Sequence, residues 1–148
     1  MWNQLLGGAA ISLINFAIHA LITGVVVITT RHTAHRTSER GMFVRLTALL
    51  IITTVTLMIA HVIEIAVWAA YYDLLALKFN NATTFEFAFE NYTALGYGDA
   101  LPVDAGYRLI GPITSLNGVL LIGWSVAIIF EVMRMAELQV GLPRRRAD

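Results

Sequence analysis

Thr83-Thr84-Phe85-Glu86-Phe87-Ala88-Phe89-Glu90-Asn91-Tyr92-Thr93-Ala94-Leu95-Gly96-Tyr97-Gly98-Asp99 is the stretch on which the fold turns. Phe85, Phe87 and Phe89 alternate with other residues, which taken alone fits a strand. Phe85/Phe89 and Glu86/Glu90 also repeat at i, i+4, and Thr83-x-x-Glu86 has the form of a capping box. The spacing predicts a short helix over 84–92. At a rise of about 1.5 Å per residue it is roughly 13 Å long, too short to cross a membrane. Its C-terminal end carries the negative pole of the helix dipole and points at Gly96-Tyr97-Gly98.

Three long apolar runs surround this segment. Leu5 to Thr30 holds 26 residues without a charge, Leu46 to Tyr72 holds 27 with Glu64 alone, and Leu109 to Phe130 holds 22 with none. About 20 apolar residues span a bilayer as a helix, so each run is long enough. With 57% hydrophobic and 14% charged residues in 148, the chain has too few charges to coat a soluble domain. Its formal net charge is zero, which gives no bias toward nucleic acid. There is no cysteine, so disulfides and thiolate metal sites are excluded. The first run lacks a basic leader and an evident cleavage site, and it is expected to remain as a helix.

Arginine placement sets the expected orientation. Arg31, Arg36, Arg40 and Arg45 follow the first run; Arg134, Arg144, Arg145 and Arg146 follow the third. Eight of the ten basic residues then lie on one side, expected to be the cytoplasm. The N-terminus and the 73–108 connection face outward. Trp2, Trp68, Tyr71 and Tyr72 are expected at the outer interface, where amphipathic rings prefer to lie.

Set between two spans and behind a short helix, Thr93-Ala94-Leu95-Gly96-Tyr97-Gly98-Asp99 resembles the filter signature of potassium channels, usually Thr-Thr-Val-Gly-Tyr-Gly-Asp. The resemblance covers roughly 46–134. It implies an all-α membrane protein with three transmembrane helices plus a re-entrant pore helix and filter, assembled as a homotetramer in the cell membrane. The division it implies is a peripheral first helix (1–30), a basic cytoplasmic loop (31–45) and a pore domain (46–134). That domain comprises an outer helix (46–72), pore helix (84–92), filter (93–99) and inner helix (107–134). A short cytoplasmic tail (135–148) follows, its arginines near anionic headgroups.

By the same resemblance, backbone carbonyls of Thr93, Ala94, Leu95, Gly96, Tyr97 and Gly98 from four copies replace the hydration shell of potassium. Potassium is the permeant ligand, and no other cofactor and no enzyme chemistry are implied. Glu90 matches an acidic residue kept behind such filters, close enough to Asp99 for the two carboxyls to share a proton. Gly118, twenty residues after Gly98, is placed for a hinge or for close helix packing. Ile122, Val126 and Phe130 share its helical face and are expected to line the inner cavity, with Phe130 at a hydrophobic constriction. Ala94 stands where the family has a threonine, so four hydroxyls are missing from the innermost ion site. That departure keeps a weakly selective cation channel in view, beside a non-conducting subunit of a larger assembly.

Some residues fall outside a bare pore. His61 and Glu64 share a face of the second run, and ionisable groups in a membrane are functional candidates by default. The pair fits an internal brace, an ion pair or a proton sensor, with Arg108 a candidate partner for Glu64. Asn15 and His19 are expected to face a protein neighbour, the first helix packing against the second. His32 and His35 are expected in solvent. A zinc-protease motif, His-Glu-x-x-His, is absent, and the sequence shows no metal constellation.

Overall fold

A computed structural model describes residues 2–34, 41–96, 98 and 100–139. It has three long helices and one short one: α1 Trp2–Ala34, α2 Met42–Leu74, α3 Thr84–Tyr92 and α4 Ile110–Gln139. A single 3₁₀ turn, Ala105–Tyr107, precedes α4. Stretches Trp2–Thr30, Leu46–Leu74 and Ala105–Met135 are long and apolar enough to cross a membrane. α2 has 33 residues and is about 50 Å long, longer than the roughly 30 Å hydrocarbon layer. The long helices overrun the apolar stretches from which they are expected. α1 includes residues 31–34 of the expected basic loop, and α2 includes 42–45.

These helices are apolar almost all round. Leu13, Leu21 and Val25 of α1, Ile51, Met58 and Ile59 of α2, and Leu116 and Val119 of α4 are exposed. Lipid solvates such side chains as well as a protein core does, so apolar area alone does not choose a partner face. The polar side chains do. Asn15, His19, Thr23, Glu64, Thr114, Asn117 and Ser125 are all buried between helices. Asn15 Nδ2 donates to the Glu64 carbonyl at 3.2 Å and to Asn117 Oδ1 at 3.1 Å, joining α1, α2 and α4. The first helix therefore packs on both α4 and α2, rather than on α2 alone.

An aromatic core holds the short helix. Phe87 stacks on Phe79 at 4.0 Å between ring centroids and meets Tyr72 edge-on at 5.6 Å. Phe87 is buried while Phe85 and Phe89 remain exposed, which is the helical pattern and not the strand pattern. The two ends of the connection are clamped by a bridge between Phe79 and Pro102. Trp68 and Tyr72 are fully buried and so do not sit among headgroups as expected. The reason is again polar: Trp68 Nε1 donates to Asn117 Oδ1 at 2.9 Å, and the Tyr72 hydroxyl bonds Thr114. Pro112 falls in the first turn of α4, where its missing N–H costs nothing.

Gly118 is where α4 meets the end of α3. A Cβ there would fall on the Tyr92 carbonyl, 2.7 Å from its carbon. The close-packing reading is therefore the one the structure supports. Gly118→Ala is expected to lower stability by about 1–3 kcal/mol through overpacking. Gly24→Ala, with open space around its Cβ, should not. Thermal unfolding of both variants in detergent checks the contrast.

Candidate ion-conduction site

The site begins at the N-cap of α3. Thr83 Oγ1 accepts from Glu86 N at 3.2 Å, and Thr83 N donates to Glu86 Oε2 at 2.7 Å, completing the capping box. The Thr83 backbone N–H, then its side chain, holds the Glu86 carboxyl below the usual glutamate range. At the other end Thr93 is the C-cap. Leu95 N donates to Glu90 O at 2.9 Å and Ala94 N to Asn91 O at 2.9 Å. Those two bonds make a Schellman closure, which requires a left-handed residue at Ala94. Its φ is 55°.

The left-handed conformation then recurs at every second position, with φ of 51° at Gly96 and 84° at Gly98. Left-handed residues at alternate positions depart from an ordinary strand, whose carbonyls point to alternate sides. Only glycine adopts positive φ without strain, which accounts for Gly96 and Gly98. Thr93, Ala94, Leu95, Gly96 and Gly98 are all exposed in the single chain. Tyr97 and Asp99 lie outside the described residues, and so does the expected pairing of Asp99 with Glu90. Glu90 itself is half-buried on α3.

Beside the end of α3 lies Glu64, fully buried. Its Oε1 is 2.8 Å from His19 Nδ1, and its Oε2 is 3.0 Å from His61 Nδ1 and accepts from the Tyr92 hydroxyl. His61 Nδ1 also lies 2.8 Å from the Tyr92 hydroxyl. On the far side of the rings, Ser125 Oγ is 2.9 Å from His61 Nε2 and 3.3 Å from His19 Nε2. One carboxylate thus joins α1, α2 and α3, and Ser125 brings in α4. Arg108 is exposed before α4 and is not among the partners of Glu64.

The spacing in sequence pairs His61 with Glu64 but does not reveal His19, Tyr92 and Ser125 as their partners. It also shows no metal constellation, whereas His19, His61 and Glu64 bring ligand atoms within 4.8 Å of one another. The only available signal was a histidine in the first span at all. Ile122, Val126 and Phe130 are exposed on α4, on the stretch beyond Gly118.

Residues 58–135, more than half of the 148-residue chain, match an ion channel family. The chain belongs to this ion channel family. It is a multi-pass membrane protein and an ion channel subunit. Neither a curated protein nor a solved structure matches it. The match runs from within α2 through residues 93–99 to near the end of α4, and so excludes α1, the helix that supplies His19 and Asn15.

Tyr92→Phe removes one donor from a buried carboxylate and is expected to destabilise the channel subunit by about 1–3 kcal/mol. Arg134→Gln breaks an exposed pair with Glu131 and should change stability by less than about 1 kcal/mol. Thermal melts of the purified variants in detergent compare the two.

Proposed function

We propose that four copies of this chain surround one axis and conduct potassium passively through a filter formed by residues 93–98. The observation that carries this reading is the run of left-handed residues at Ala94, Gly96 and Gly98, immediately after a short helix that ends among the membrane spans. Four such strands present rings of carbonyl oxygens that substitute for hydration water around a cation. Four α3 C-termini add the negative ends of their dipoles below the filter. One chain cannot enclose an axis, so closed fourfold assembly is part of the proposal. The exposed filter residues, with exposed Ile122, Val126 and Phe130 on α4, supply the surface that the other copies and the water-filled cavity cover. Glu90 and Asp99 support the filter from behind. The arginine distribution puts the N-terminus outside and the C-terminus in the cytoplasm of a cell-membrane channel.

Ala94 favours a second reading, a cation pore of weaker selectivity. Its carbonyl remains, but the hydroxyl ring that a threonine would contribute to the innermost site does not. Liposomes holding the purified protein should release potassium much faster than sodium, with barium blocking the flux. Equal rates would favour the weakly selective pore, and no flux from intact tetramers would contradict conduction.

Ala94→Thr should raise the potassium-to-sodium permeability ratio by restoring that ring. The left-handed φ at this position disfavours a β-branched side chain more than alanine, so the substitution is expected to lower stability as well. An unchanged ratio in a folded variant would remove the argument from Ala94.

A further inference from the structure

Glu64 puts a carboxyl group in a fully buried place between membrane helices, and its two described ion-pair partners are histidines. A carboxylate in such surroundings needs a positive charge beside it. Hydrogen-bond arithmetic points the same way. If Glu64 is ionised, it draws an N–H from Nδ1 of both His19 and His61. Both Nε2 atoms are then acceptors, and both face the same Ser125 hydroxyl. One hydroxyl has one hydrogen, so with both rings neutral one ring nitrogen goes without a donor, a need that a protonated ring or a bound cation meets. A cation bound at the Nδ1 side removes the conflict. Both Nε2 atoms then carry hydrogen and donate to the two lone pairs of Ser125 Oγ. A hydrogen bond from the second ring nitrogen to a fixed acceptor is the usual support for a metal-bound histidine.

We propose that His19 Nδ1, His61 Nδ1 and the Glu64 carboxylate bind a divalent transition ion of the zinc class. Two imidazoles and one carboxylate suit zinc, cobalt or nickel, whereas calcium and magnesium require oxygen ligands throughout. Tetrahedral ligands about 2.1 Å from an ion lie about 3.4 Å from one another. The histidine–glutamate separations of 2.8 and 3.0 Å must therefore open by about half an ångström to admit it. Tyr92 keeps its donation to the carboxylate, and the fourth position is left for water. A bound ion ties α1 to α2 behind Tyr92, the last residue of the pore helix.

The test uses full-length protein without a histidine tag, stripped with chelator and then equilibrated with cobalt or zinc alone. One ion per chain is expected by elemental analysis, with the visible bands of low-coordinate cobalt and a rise in melting temperature. His19→Asn keeps an N–H for Glu64 but lacks the imidazole, and should lower affinity at least 100-fold while the protein stays folded and monodisperse. Ser125→Ala should lower it about 10- to 100-fold through the lost acceptor. His32→Ala/His35→Ala should bind as the parent does. Folded parent protein that takes up no ion, or uptake undiminished in His19→Asn, overturns the site.

Discussion

A bilayer offers no water to a carboxylate, so the protein itself must solvate Glu64. Each of the other helices contributes to doing so. α1 brings His19, α3 brings Tyr92, and Ser125 of α4 closes the far side of the two imidazole rings. Because the outer surfaces are nearly uniform in apolarity, this set of bonds selects one rotation for each helix out of many that lipid would tolerate equally. Asn15, Asn117 and Trp68 repeat the device with neutral groups. The molecule is arranged in the reverse of a soluble domain, with its polar side chains inside and its apolar ones outward.

The proposed filter takes its position from that arrangement. Tyr92 ends α3, and Thr93 and Ala94 leave from it directly. Its hydroxyl is held by Glu64, while its backbone lies on α4 at Gly118, where any side chain would collide. The opposite end of α3 is fixed by the capping box and by the stack of Phe87 on Phe79. A short helix held at both ends gives its C-terminal dipole a defined direction. The Schellman closure then makes Ala94 left-handed, and this is the first of the alternating conformations that continue through Gly96 and Gly98.

Much of this was legible in the sequence, and the illegible remainder has a common cause. Hydropathy runs and i, i+4 spacing are local signals, and the three spans and α3 over Thr84–Tyr92 follow from them directly. The capping box was equally local. Partners remote in sequence were not legible. His19 meets Glu64 across 45 residues and Ser125 meets His19 across 106. A helical period marks the face on which a residue lies but not which helix will cover that face. Trp68 and Tyr72 show the same limit, because aromatic rings near a span's end suit headgroups or a polar partner equally well. Here Asn117 and Thr114 are the partners. For Gly118, bending and close packing leave one sequence signature, and the Tyr92 backbone beside it shows the close packing.

The central claim is that left-handed residues at alternate positions turn the carbonyls of four chains toward one axis. Rubidium scatters anomalously and resembles potassium in size, so a crystal of the purified channel grown in rubidium tests it most directly. The account predicts fourfold symmetry with a column of rubidium peaks along the axis, ringed by main-chain oxygens of residues 93–98. An assembly of another symmetry, or an axis without rubidium beside those carbonyls, would contradict it.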